Sequence, residues 1–298
     1  MTSGANLSIQ LSEGISVAIC SDVSVMVKLY PKPSPAYYTI HEIYNFPVMM
    51  KTNTSPRLFV DDALKAESAL VLDPAQAHYL GHVMRLRVGD AVRLFNGRDG
   101  EWTAAIEKLK KSSCLMTING LLQPQEAESG PWLAFAPVKK TQTGLIVEKA
   151  TELGVTRLSP VFTARTNSGR VNPDRMRARA IEASEQCGRL TVPEIAAPET
   201  LQGFLDQWPV ARRLLVLDET GAGQPIAQVL EDLRGGNGGI SPECGFLSGP
   251  EGGFETSELE SLRNLDFVTG VGLGRRILRA ETAALSALAC WQAILGDV

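Results

Sequence analysis

The stretch Leu247 to Glu258 reads LSGPEGGFETSE. Gly249, Pro250, Gly252 and Gly253 surround a single carboxylate, Glu251. The apolar run CGFL leads into it, and TSELESL, a helix-start pattern, follows. Glycines let main-chain amides and carbonyls approach a ligand closely. The same texture recurs in LDETGAG (Leu217 to Gly223) and GLGRRILRAETA (Gly272 to Ala283), each after an apolar run. One such loop is equally a tight turn. Three at successive strand ends point to a ligand site.

A phosphate cradle is the first idea, because a helix follows each loop. The motifs resist it. The chain has no GxxxxGK[ST], and GPEGGF is not GxGxxG. Glu251 would also set a negative charge where a phosphate sits. A planar base carried on a cationic or amide-rich ligand fits these loops better.

Outward from these loops, strands and helices alternate from Pro131 onward. WLAFAPV, LSPVFT, RLLVLDE, CGFLSG and FVTGVGLG read as strands. TGLIVEKATELGV, PDRMRARAIEASEQCG, PIAQVLEDL, TSELESLRNL and AETAALSALACWQAIL read as helices. This alternation predicts an α/β domain over 131–298, with a parallel sheet covered on both faces. In such sheets ligands lie beyond the carboxyl ends of the strands. Over 55–123 short strands and Gly or Asp turns predict a small β-barrel, interrupted by one helix that Asp73 caps before Pro74. QPQEAESGP is a polar linker. Residues 1–54 show no sustained period and are expected to be a disordered extension or the product of an upstream start codon.

The chain has 298 residues, 44% of them apolar and 21% charged, which suits a folded two-domain protein. No apolar run approaches the roughly 18 residues of a membrane helix. Five scattered cysteines without a CxxC pair argue against a disulfide framework or a zinc site and favour a reducing cytoplasm. His78 and His82 share a helix face, but no third metal ligand is evident. The net charge is −4, yet residues 137–191 carry ten Lys or Arg against five acids. That local excess suits either a salt-bridged helix face or a polyanionic partner.

SGPEGGFETSE followed by LGRRILRAETAALSAL resembles the C-terminal signature of the RsmE family. These SPOUT-superfamily methyltransferases act on N3 of a uridine in 16S ribosomal RNA. PRLFV, HYLGHVMRLRVGDAVRLFNGRDGEW, KATELGVTRLSPVFTARTNS and EASEQCGRLTVPEI match the family in order, so the resemblance spans about Arg57 to Leu295. LDETGAG matches weakly. The resemblance implies a SPOUT-type parallel sheet with a C-terminal deep trefoil knot, a rare exception to the rule that chains do not knot. It also implies an N-terminal PUA-like β-barrel that binds RNA, a homodimer, S-adenosylmethionine as cofactor without any metal, and 16S rRNA or the 30S subunit as partner. A SPOUT enzyme acting on another nucleotide, and a non-catalytic RNA-binding assembly factor, are the alternatives.

Carried onto this chain, the cofactor contacts are Leu217, Asp218 and Glu219, then Leu247, Gly249, Pro250, Glu251, Gly252 and Gly253, then Leu273, Gly274, Ile277 and Leu278. Ile277 and Leu278 either wall the adenine or pack in the core. Arg279 either stabilises charge on the target base or orders its loop. Glu281 is either a general base or a helix-start carboxylate. Glu251 is either catalytic or a shaper of its own loop. Arg57, Arg85, Arg87, Lys139, Arg165 and Arg189 are the RNA-contact candidates, since guanidinium groups suit phosphates. For Arg165 and Arg189 the alternative is a salt bridge.

Overall fold

The computed structural model describes residues 55–167, 169, 171–236 and 243–296, together with three short strands near the N-terminus. The chain divides into two units, 1–54 and 55–298. In the first, β1 (Leu7–Leu11), β2 (Ile15–Ile19) and β3 (Val25–Lys28) pair antiparallel. The extension expected over 1–54 otherwise falls outside the described residues.

The second unit opens with a five-stranded sheet. Its strands are β4 (Arg57–Phe59), β5 (Ala69–Leu72), β6 (Ala91–Phe95), β7 (Glu101–Lys110) and β8 (Ser113–Gln123), in the order β4-β6-β7-β8-β5. The edge strands β4 and β5 are not paired with each other. Alternate residues of β5 to β8 turn inward, so Leu94, Ile106, Met116 and Ile118 are buried in one core with Leu80. Leu80 comes from helix α1 (Pro74–His78) and the π-helical turn Tyr79–Val83 that continues it. Asp73 caps α1 as expected, accepting from the amides of Ala75 at 2.7 Å and Gln76 at 2.9 Å.

The α/β part contains β9 (Trp132–Phe135), α2 (Lys140–Glu152), β10 (Arg157–Phe162), α3 (Pro173–Cys187), β11 (Glu194–Ile195), β12 (Glu199–Thr200), α4 (Leu201–Asp206), β13 (Arg213–Leu217), β14 (Gln224–Pro225), α5 (Ile226–Gly236), β15 (Cys244–Ser248), α6 (Thr256–Arg263), β16 (Val268–Gly272) and α7 (Ala280–Leu295). All pairs are parallel, in the order β11-β10-β9-β15-β13-β16-β14, with β12 added beside β10. Side chains of α2, α3, α5 and α7 bury one face of the sheet, while Leu201, Phe204, Leu259 and Leu262 of α4 and α6 bury the other. Both faces are covered, which explains strands that read as continuous apolar runs rather than alternating ones. Asn172 caps α3, and Gly188 ends it with φ +88°, a conformation that favours glycine. Among the described residues no helix is long and apolar enough to cross a membrane.

The two sheets are joined by arginine. The Arg57 guanidinium lies 4.3 Å from the Phe95 ring centroid and pairs with Glu101 at 2.5 Å. It also donates to the carbonyls of Ser184 at 2.5 Å and Arg189 at 2.7 Å, at the end of α3. Arg189 in turn donates to the carbonyls of Thr151 and Val155 and pairs with Glu128 of the linker at 2.8 Å. Their side chains are 5% and 8% exposed. Arg57 and Arg189, both expected to contact RNA, are thus buried against partners inside the protein. Buried charge requires such partners. For Arg189 the salt-bridge partner is the linker acid Glu128.

Candidate active site

Chain order β13, β15, β16 becomes β15-β13-β16 in the sheet. The three glycine-rich loops therefore leave the carboxyl edge of three adjacent strands. A cavity of about 680 Å³ opens there, lined by Leu217 to Gly221, Gly272 to Leu278 and the first turns of α5 and α7, with Ser286 and Cys290 of α7 on its wall. Residues 248–254 do not line this cavity. They stand beside it, on the neighbouring strand end.

In the first loop the two acids have different partners. The Asp218 carboxylate is almost fully buried and accepts from the Thr220 amide at 2.8 Å, the Thr220 hydroxyl at 2.5 Å and Arg263 of α6 at 2.8 Å. Burial alone would raise its pKa, but the Thr220 and Arg263 hydrogen bonds hold it below the usual value. Glu219 is exposed and accepts from the Phe254 amide at 3.0 Å, reaching into the second loop.

The second loop turns on a bond from the Gly253 amide to the Pro250 carbonyl at 2.9 Å, with Gly253 at φ +69°. Leu247 and Pro250 are buried, and Leu247 packs in the core below the loop. Glu251 is exposed and has no side-chain partner among the described residues. It does not shape the loop; Glu219 and Glu258 do. Glu258 accepts from the Glu255 amide at 2.9 Å, closing a capping box at the start of α6. Its other oxygen accepts from the Ala164 amide at 2.8 Å. Arg165 then donates to the Gly252 carbonyl at 3.1 Å, so the TARTNS loop is tied once to SGPEGG and once to the first turn of α6. The helix start was visible in sequence, but the partner Ala164 was not.

In the third loop Gly274 has φ +102°, and a side chain there would meet nothing within 4 Å. Ile277 is 91% exposed at the cavity edge, which excludes the core-packing alternative, and Leu278 is half-buried beside it. Arg279 is exposed at the N-cap of α7 and makes no side-chain bond among the described residues. Glu281 is half-buried in the first turn of the same helix, where the helix dipole favours a carboxylate. Arg85, Arg87, Lys139 and Arg165 are all exposed. The rings of His78 and His82 stack with centroids 4.5 Å apart. Among the described residues there is no group of three or more His, Cys, Asp or Glu placed to hold a metal ion.

Comparison with known proteins agrees with this architecture. Residues 126–292 match the RNA methyltransferase domain family, and residues 72–118 match the RNA methyltransferase PUA domain. Ribosomal RNA small subunit methyltransferase E of Rickettsia conorii is 33% identical over 78% of this chain and 93% of its own. The Synechocystis protein of the same name is 31% identical over 85% and 84%. The crystal structure of ribosomal RNA small subunit methyltransferase E from Neisseria gonorrhoeae, bound to S-adenosyl methionine, superposes with a TM-score of 0.70 at 28% identity, covering 80% of this chain and 97% of that one. With a PUA domain ahead of a parallel α/β sheet like that of SPOUT methyltransferases, and with these relatives along most of its length, the chain belongs to the RNA methyltransferase family of the ribosomal RNA small subunit methyltransferases E.

Proposed function

We propose that this protein methylates N3 of a uridine in 16S ribosomal RNA, using S-adenosylmethionine, as a cytoplasmic homodimer. The observation that carries the reading is the convergence of three glycine-rich loops on adjacent strand ends beside a ligand-sized cavity, in a chain of this family. A volume of about 680 Å³ lies within the usual range for small-molecule sites. The open backbone at Gly274 and the apolar edge of Ile277 and Leu278 suit a nucleoside, and the acids of the first loop disfavour a phosphate. The residues therefore fit the cofactor. Leu217, Asp218 and Leu273 to Leu278 would hold it, with Glu219 and Leu247 to Gly253 setting the neighbouring edge. A trefoil knot through these loops is part of the same proposal.

The cofactor supplies a methyl group already activated on a positively charged sulfur, so the protein's task is positioning and charge control. Uridine N3 is an imide nitrogen that loses its proton as the new bond forms, spreading negative charge over O2 and O4. Arg279, exposed beside the third loop and free of acidic partners among the described residues, is the cation placed to meet that charge. Glu281, two residues on, or a water, accepts the proton. The exposed Arg85, Arg87, Lys139 and Arg165 hold RNA phosphates.

The direct test is methylation of 30S subunits from a strain lacking the corresponding gene, using purified protein and labelled cofactor. Digestion of the rRNA should yield labelled 3-methyluridine. A different methylated nucleoside would move the enzyme to another target. Cofactor binding without any methylated product would reject catalysis.

A further inference from the structure

We propose that Glu219 is a positioning residue of the cofactor site, acting through the backbone of Phe254 rather than by touching the ligand. The inference rests on the cofactor reading above. Among the cavity-lining residues, Glu219 is the one bonded to the Ser248–Phe254 loop, at 3.0 Å from its Oε1 to the Phe254 amide. The loop is shaped to receive that oxygen. A β-carbon added to Gly253 would lie 2.2 Å from Oε1 and 3.0 Å from the carboxyl carbon. Gly253 also has φ +69°, so a side chain there would strain the backbone and displace the Glu219 carboxylate. On the other side of the bond the Phe254 ring is buried, and a β-carbon on Gly249 would approach it to 2.8 Å. Phe254 is thus held from both ends, its ring in the core and its amide on Glu219.

The adjacent acids divide the work. Asp218 is saturated by Thr220 and Arg263 and fixes its own loop, whereas Glu219 crosses to the loop of the neighbouring strand β15. The geometry demands an acceptor oxygen, not a charge. That separates this role from the obvious rival, a carboxylate that pairs with the ammonium of the ligand's methionine end. An amide oxygen satisfies the first and fails the second.

The test compares wild type, Glu219→Gln and Glu219→Ala as full-length protein. Calorimetric titration with S-adenosylmethionine is run beside hydrogen–deuterium exchange of the peptide containing the Phe254 amide, in the absence of ligand. Glu219→Gln should keep wild-type exchange and affinity. Glu219→Ala should speed exchange at Phe254 and weaken the cofactor about tenfold. The Gly253→Ala change should slacken affinity less in the Glu219→Ala background than in wild type, because the close contact is gone. Equal losses in the Gln and Ala variants would show a direct charged contact and overturn the proposal. So would faster exchange with unchanged affinity, or no change in either. If wild type itself binds no S-adenosylmethionine, the cofactor reading fails, while the exchange measurements still judge the bond.

Discussion

Arg57 at the start of β4 donates to the carbonyl of Ser184, 127 residues later, at 2.5 Å. That one guanidinium also reaches Glu101 and the Arg189 carbonyl, so it binds the PUA sheet to the end of α3. Removing one partner of a buried charged network costs about 3–5 kcal/mol. Arg57→Ala should therefore lower unfolding free energy by about that much in urea titrations. Arg57→Lys should recover little, since one ammonium cannot serve three acceptors in a planar fork. A loss confined to RNA affinity, with stability intact, would restore the surface role.

Arg279 makes the opposite prediction. It is exposed and carries no structural bond through its side chain among the described residues. Arg279→Ala should leave the melting temperature and calorimetric cofactor affinity unchanged and reduce kcat by about a hundredfold or more, the usual cost of losing a charge-stabilising donor. A fall in cofactor affinity alone would make it a loop-ordering residue.

Ile277 is tested through stability and binding together. At 91% exposure its truncation removes no core contact, so Ile277→Ser should change unfolding free energy by less than about 0.5 kcal/mol. Cofactor affinity should fall, as an apolar edge of the cavity is lost. Unaltered affinity would remove Ile277 from the cofactor site.

Glu185 gives a pH signature. It accepts from the Phe59 amide at 2.9 Å at the junction of sheet and helix, and burial pushes its pKa above the ordinary value of 4.5, outweighing that bond and nearby Arg57. The unfolded chain then releases this proton at lower pH than the folded one. Stability from this group is full below pH 4.5 and is lost as pH rises through the elevated folded value. Glu185→Gln keeps an acceptor for Phe59 and cannot ionise. Its melting temperature should exceed that of wild type at pH 7, and the gap should close below pH 4.5.

The ends of elements were legible because they depend on local chemistry. Asp73 before Pro74 was read directly, because a cap acts within a few residues of itself, as Asn172 and Gly188 do at the two ends of α3. The alternation after Pro131 foretold the parallel sheet and its coverage on both faces. The loop motifs identified the family. The destiny of individual charges was not legible. Arg57 and Arg85 look alike in the sequence, yet one is buried on carbonyls and the other is exposed.

LSGPEGGFETSE by itself determined a strand, a tight glycine turn and a capped helix, because φ angles and capping hydrogen bonds are set within a few residues. It marked Glu251 as the acid of interest. Only the tertiary structure decided that Glu219 and Glu258, which come from a neighbouring strand end and the following helix, hold that loop. The order β10-β9-β15-β13 brings their partners together, and strand order is fixed by contacts distant in the chain, which local patterns do not encode.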